Sequence, residues 1–168
     1  MKRTLAGEAF TEVVTIGLVV GARLEQAGDA LAVPEGQSAA RWKVLGRASK
    51  RDMTVAEIAR SLEQSRQSVQ KVADVLVEDG LAAYVDNPGD RRAKLFALTD
   101  RGRDVLRAIQ ARQRAWADRV GAQLRNDELA QIRAAFERLA EVLSIEEAGS
   151  AIDAVRETRV PKTKRSEK

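Results

Sequence analysis

The chain has 168 residues, 44% hydrophobic and 32% charged, with a formal net charge of +4 and neither cysteine nor histidine. This is the composition of a folded protein with a helical bias, long enough for one substantial domain or a small domain with dimerising extensions. It excludes disulfides, thiolate zinc sites and cysteine redox sensing, and it removes the usual general base and the commonest metal ligand, so no catalytic residue, metal site or cofactor is expected.

Residues 7–31 read as one long helix, with Phe10, Val14, Leu18 and Leu24 recurring at three- and four-residue intervals. Its longest apolar stretch, Val13 to Ala22, is interrupted by Thr15 and preceded by Glu8 and Glu12. A spanning helix needs roughly 20 such residues, so neither a membrane segment nor a leader is expected, and the cytoplasm is the expected location. Pro34-Glu35-Gly36 ends the helix. A second helix covers about 38–49, with Trp42 and Leu45 inward and Arg41, Lys43, Arg47, Lys50 and Arg51 in or just after it.

In MTVAEIARSL, Thr54 and Glu57 form a capping box that starts a short helix ending near Leu62. Ser65 is a good N-cap for the next helix, which stops at Gly80. Two short helices joined by a tight turn outline a helix-turn-helix. LAAYVDNPGDRRAKLFALT then reads as strand, turn, strand, with Pro88-Gly89 at the turn. Thr99 caps a long helix to about Leu124. Asn126 caps a last one, in which Leu129, Ile132, Phe136, Leu139 and Leu143 make a heptad-like seam. From Gly149 to Lys168 the chain is polar and carries +3 of the total charge. This tail is expected to be disordered, and the nearly neutral body means that charge alone does not argue for nucleic acid. The expected parts are an N-terminal dimerisation helix (1–35), a winged helix-turn-helix (36–99), C-terminal dimerisation helices (100–148) and the basic tail (149–168).

On the helix that starts at Ser65, Val69, Val72, Ala73 and Leu76 share a core face. Gln67, Gln70, Lys71, Asp74 and Glu78 point the other way, and Arg66 and Ser68 flank them. The first half of the outward face is free of acids, whereas Asp74, Glu78 and Asp79 follow in the second half and would repel phosphates. Only the N-terminal half is therefore fit to approach DNA, the end by which a recognition helix enters the major groove. Glutamine can bond adenine N6 and N7 together, and Arg or Lys can reach guanine O6 and N7. The candidate readers are Arg66, Gln67, Ser68, Gln70 and Lys71. The hairpin that follows presents Arg91 and Arg92, and a narrow minor groove attracts arginine. The Asp90 carboxylate either holds a neighbouring guanidinium or caps the turn backbone. Arg47, Lys50 and Arg51 are candidate phosphate contacts or a solvated surface.

The stretch 38–106 resembles the winged helix-turn-helix of the MarR family of bacterial transcriptional regulators. Trp42, Val44-Leu45, Val55-Ala56-Glu57-Ile58-Ala59, Ser68-Val69, Leu76 and Gly80-Leu81 carry the likeness. Its most specific part is Asp90-Arg91-Arg92 followed by Leu98-Thr99 and Gly102, similar to the family's D-x-R…LT..G wing signature. The flanking helices match in placement but not in specific sequence. The resemblance implies a fold that is mainly α with a small β-hairpin wing, flanked by long dimerisation helices. It also implies an obligate homodimer through the first, fifth and sixth helices, reading a palindromic site on double-stranded DNA. Release by a small anionic phenolic or lipophilic effector is implied too. Phe10, Trp42 and Trp116 are candidates for lining an effector pocket, or are packing residues.

Apart from the resemblance, the first and last helices carry more apolar stripe than one small winged core can cover, which dimerisation would resolve. The expectation is a non-enzymatic, homodimeric DNA-binding regulator of transcription, a repressor. The alternatives are a sequence-tolerant architectural DNA-binding protein and a winged-helix adaptor between proteins.

Overall fold

A computed structural model describes residues 4–143. The chain divides into two compact units, one ending at Trp116 and the other beginning at Ala117. In the first, α1 (Leu5–Ala32) starts where the Thr4 hydroxyl accepts the Gly7 N–H at 3.1 Å. Only Gly28 and Ala32 of α1 are buried. Gly28 lets α2 (Ala39–Arg47) come close, since a Cβ there would sit 3.0 Å from the Ala39 Cβ. A 3-10 turn over Val33–Glu35 ends at Gly36, whose φ of +67° suits glycine. The C-terminal end of α1 is tied down by polar bonds. Asp29 accepts the Ala39 N–H at 2.7 Å, and Arg112 donates to the Leu31 carbonyl at 3.0 Å and to Glu35 at 2.8 Å.

The rest of α1 leaves its apolar side in solvent, with Ile16 63% and Leu18 72% exposed. By length and composition this helix is apolar enough to cross a membrane. The helix continues past both ends of Val13–Ala22, the stretch on which the sequence expectation rests, with Glu8 and Glu12 before it and Arg23, Glu25 and Asp29 after it.

The winged core follows. Strand β1 (Met53–Thr54) leads into α3 (Val55–Ser61), then α4 (Arg66–Glu78), β2 (Ala82–Val85) and β3 (Leu95–Leu98). The sheet is antiparallel in the order β1-β3-β2, with Tyr84 opposite Phe96 and Met53 opposite Phe96 on its other side. Strand β1 was not evident in the sequence. It is two residues long and exists because Met53 buries itself beside Phe96, a tertiary cause with no local pattern. Phe96, Leu45, Ile58, Val69, Leu76 and Leu81 are fully buried at the centre. Each side chain of this kind contributes roughly 1.5–3 kcal/mol by leaving water.

Helix α5 (Asp100–Gly121) is capped by Thr99, as expected: its hydroxyl accepts the Gly102 N–H at 3.1 Å and donates to the Gly80 carbonyl at 2.8 Å. In the second unit, α6 (Asn126–Val142) begins one residue earlier than the sequence suggested. Arg125 is its N-cap and Asn126 its first helical residue. The cap comes from inside the helix, where Glu128 accepts the Arg125 N–H at 2.8 Å. No residue of α6 is buried, and Phe136 is 52% exposed. The expected disordered tail lies outside the described residues.

Candidate nucleic-acid interface

Helix α3 is fixed at its start by reciprocal bonds. The Thr54 hydroxyl accepts the Glu57 N–H at 3.2 Å, and Glu57 accepts the Thr54 N–H at 2.8 Å. The backbone and hydroxyl bonds from Thr54, then Arg51 at 3.1 Å, hold the Glu57 carboxyl below its ordinary 4.5. A tight turn leads to α4, with Glu63 in the left-handed region at φ +53° and the Gln64 N–H bonded back to Ala59 at 3.0 Å. Helix α4 then starts where the Ser65 hydroxyl accepts the Ser68 N–H at 3.1 Å.

Val69, Ala73 and Leu76 turn inward, while Arg66, Gln67, Ser68 and Lys71 are exposed. Val72, expected in the core, is only half-buried. The acids of the second half are partly engaged with the body, as Asp79 pairs with Arg41 at 2.9 Å. The exposed first half thus carries two cations and two neutral hydrogen-bonding groups, beside four backbone N–H groups that begin a helix.

The wing is the connection from β2 to β3. Asn87 accepts the Gly89 N–H at 3.0 Å, and the Asp90 carboxylate accepts the Arg92 N–H at 2.9 Å. Of the two roles considered for Asp90, this is the backbone cap. Among the described residues Asp90 forms no ion pair with either guanidinium, which corrects the reading that it holds the Arg92 side chain. The reason is local geometry. An aspartate in a turn reaches the amide two residues on with little rearrangement, and this leaves the guanidinium free.

Arg66, Gln70 and Arg92 meet Tyr84 and Lys94 in the walls of a cleft of about 290 Å³ between α4 and the wing. Arg91 instead lines a separate hollow with Asn87 and Pro88. None of Arg66, Lys71, Arg91, Arg92 and Lys94 has an acid partner among the described residues, so their charge is presented outward. Tyr84 and Lys94 are walls of the cleft that the sequence analysis does not single out, and Gln70, a candidate reader, is placed differently from the expectation. Tyr84 looked like an ordinary strand residue. Gln70 was placed on the outer face with Lys71, whereas it is half-buried and turned toward the wing. The Gln70 Nε2 donates to the Tyr84 hydroxyl at 2.7 Å and to Asp74 at 2.8 Å, and the Tyr84 hydroxyl donates to Asp74 at 2.7 Å. Partial burial, then the Asp74 bond, push the Tyr84 phenol up to about 12. The i, i+4 spacing of Gln70 and Asp74 permits their bond, but nothing in the sequence signals that Tyr84 joins them, because that depends on where the wing returns.

The other candidates separate. Arg51 is engaged by Glu57, whereas Arg47 and Lys50 are exposed without an acid partner among the described residues. Lys43 pairs with Glu25 of α1. Trp42 helps line a cavity of about 630 Å³ between α1 and α2, together with Leu24, Gly28, Lys43, Arg47 and Leu62. Phe10 and Trp116 are not among its walls. Phe10 is exposed on α1, and Trp116 is half-buried on α5.

This arrangement has counterparts among known proteins. Residues 40–93 match the sequence profile of the MarR family. An uncharacterized protein of Mycobacterium tuberculosis is 45% identical over 89 residues, which are 53% of this chain and 62% of that one. The transcriptional activatory protein BadR of Rhodopseudomonas palustris is 32% identical over 90 residues, 51% of each chain. The chain thus spans between half and about three fifths of the length of these relatives. CouR from Rhodococcus jostii RHA1, solved bound to p-coumaroyl-CoA, shares 25% identity at a TM-score of 0.68, with 76% of this chain and 91% of that one covered. AbsC, a MarR family transcriptional regulator from Streptomyces coelicolor, shares the fold at a TM-score of 0.73 and 19% identity, covering 85% of this chain and 97% of its own. With its helix-turn-helix, wing and flanking helices in this order, the chain has the winged helix-turn-helix fold of these MarR family structures, and its residues 40–93 are similar to that family in sequence.

Proposed function

We propose that the chain is a homodimeric, sequence-specific DNA-binding regulator of transcription, with no enzymatic activity and a cytoplasmic site of action. The first half of α4 lies in the major groove, where Gln67, Ser68 and Lys71 face base edges and Arg66 approaches the backbone. Gln70 reads from the flank beside the wing. Arg92 enters the adjacent minor groove, with Arg91 on phosphates. Arg47 and Lys50 are further phosphate contacts, and Arg51 serves through its free edge only. The observation that carries the reading is the cleft between α4 and the wing. Its cations lack acid partners among the described residues, and a polyanion would supply them.

The apolar side of α1 and the exposed seam of α6 are covered by a second copy of the chain. Left bare, α1 alone would present a large apolar patch. A second copy is favoured over lipid because Glu25, Asp29 and the Arg112 bonds tie the C-terminal end of α1 to the winged body. Residues 36–99 are then the DNA-binding part, between dimerising segments 1–35 and 100–148. The cavity between α1 and α2 suits a small lipophilic anion, with Trp42, Leu24 and Leu62 as its apolar wall and Arg47 at its edge. Repression is the proposed sign where the site overlaps a promoter. The relative BadR is named an activator, so promoter position decides.

Selection of bound duplexes from a random DNA pool at about physiological salt tests the reading. A palindrome with half-sites about one helical turn apart is expected. Enrichment without a motif and with a steep salt slope would instead identify an architectural binder. No enrichment by the ligand-free protein would leave an adaptor of proteins and overturn the proposal. In Arg92→Ala, binding should weaken and the A·T preference under the wing should relax; unchanged affinity and preference would remove Arg92 from the minor groove.

A further inference from the structure

The amide of Gln70 can face its surroundings in only one way. A carboxylate accepts hydrogen bonds and has none to give, so the atom 2.8 Å from Asp74 is the amide nitrogen. The same nitrogen lies 2.7 Å from the Tyr84 hydroxyl, whose single hydrogen is directed at Asp74, also at 2.7 Å. The two acceptors are close together, so each Gln70 N–H bends inward to reach its own. Every donor in the trio is then used. The Gln70 carbonyl oxygen Oε1 accepts no hydrogen bond among the described residues and is not a buried atom. It belongs to a side chain in the wall of the cleft that carries Arg66 and Arg92.

From this geometry we infer that Tyr84 and Asp74 are specificity-determining positioning residues, which make Gln70 an acceptor-only reader of DNA. This rests on the DNA-binding reading above. A free glutamine reads adenine with two bonds, its oxygen on N6–H and its N–H on N7. A glutamine whose N–H groups are both occupied offers only its oxygen. In the major groove the partners for an acceptor are the exocyclic amines, adenine N6 and cytosine N4. The base pair under Gln70 is therefore read as amine against carbonyl. Adenine and cytosine are accepted about equally, while guanine and thymine, which present O6 and O4, are disfavoured.

Tyr84→Phe removes the hydroxyl and nothing else. The ring keeps its edge-on contact with Phe96, whose centroid lies 6.2 Å away. One Gln70 N–H is released, two-bond reading of adenine becomes available, and adenine should now exceed cytosine by about fivefold or more at that position. Asp74→Ala releases the other N–H and should change the same position in the same direction. It serves as the second variant should Tyr84→Phe fold poorly.

The experiment is selection of bound duplexes with four proteins: wild type, Gln70→Met, Tyr84→Phe and Asp74→Ala. Gln70→Met identifies the base pair, as the one whose discrimination is lost. The expected result is an adenine-or-cytosine preference there in wild type that narrows to adenine in the other two variants. A change of letter at one position is something a merely structural role would not produce. A wild-type motif that is retained unchanged in Tyr84→Phe and Asp74→Ala overturns the inference, as does a wild-type preference for adenine over cytosine. Absence of any motif in wild type overturns instead the DNA-binding reading beneath it.

Discussion

Gly102→Ala tests the joint between the wing and α5. A Cβ at residue 102 would stand 1.9 Å from the Leu81 carbonyl oxygen and 2.9 Å from its carbon. Both are backbone atoms and cannot rotate away, so the first turn of α5 must retreat by more than an ångström. Two bonds are stretched in consequence: Thr99 N–H to Leu81 at 3.1 Å, and the Thr99 hydroxyl to Gly80 at 2.8 Å. Each contributes about 0.5–1.5 kcal/mol. Crowding of a packed joint next to buried Leu106 and Ile109 adds about 1–3 kcal/mol. Against this stands the gain of about 1 kcal/mol that alanine brings to a helix interior. The net expectation is a loss of about 2–3 kcal/mol, or a melting temperature lower by about 4–12 °C for a chain of this size. Thermal and urea unfolding followed by circular dichroism reads it. Gly46→Ala in α2, where a Cβ meets nothing within 4 Å, is the control and should melt no lower than wild type. A Gly102→Ala protein as stable as wild type would refute the steric account of this glycine.

Thr54→Ala removes the hydroxyl that caps α3 and should cost about 1 kcal/mol in urea unfolding. The Glu57 carboxyl is held low in the folded state, so its contribution is complete above its ordinary 4.5 and is lost as the pH falls below that. The loss between wild type and Thr54→Ala should accordingly shrink in acid, and a difference that is constant with pH would count against the coupling. Tyr84 is the chain's one tyrosine, so its ionisation can be followed directly by ultraviolet absorbance. The midpoint should lie near 12 in wild type and fall toward 10 in Asp74→Ala; equal midpoints would mean that the phenol and carboxylate do not meet in solution. Because the raised value belongs to the folded state, stability should decline as the pH climbs from 10 toward 12. Ile16→Asp and Leu18→Asp place charge on the open side of α1 and should halve the particle mass in light scattering. A wild-type monomer, or one that sediments with lipid vesicles, would exclude the second copy as the cover of α1.

What the sequence disclosed and what it withheld divide by the range of the interactions. Thr54, Ser65 and Thr99 each bond an amide three residues ahead, so the starts of α3, α4 and α5 could be read from adjacent letters. The wing was legible for the same reason, through Asn87, Pro88, Gly89 and Asp90. At Asn126 the same reasoning slipped by one residue, because Glu128 supplies the cap from within the helix and Arg125 needs no capping side chain. Strand β1 depends on Phe96, 43 positions after Met53, and no window of sequence spans that pairing. The role of Asp90 required knowing which of two acceptable partners lies nearer. The trio of Gln70, Asp74 and Tyr84 is the deepest case. The helical wheel gives each side chain an angle about α4 but not the position of the returning strand, so a residue on the flank was counted as outward.

These long-range contacts also constrain how the proposed regulator could be controlled. The wing is attached to the body at three places: Tyr84 to Asp74 and Gln70 on α4, Thr99 to Gly80 and Leu81 at the base of β2, and β3 to β1 beside α3. To move Arg92 relative to the reading face of α4, a ligand would have to break bonds in at least two of them. Helix α1 is attached only at its C-terminal end, through Asp29, Arg112 and one exposed ion pair, with a cavity where its side chains leave space against α2. A ligand of modest affinity can shift only an equilibrium that is already nearly balanced. On the proposed reading, that equilibrium is the placement of the whole winged body against α1, and the wing and α4 move together as one rigid reading head. Control would then reset the spacing between two such heads in a dimer and leave the bases each one reads unchanged.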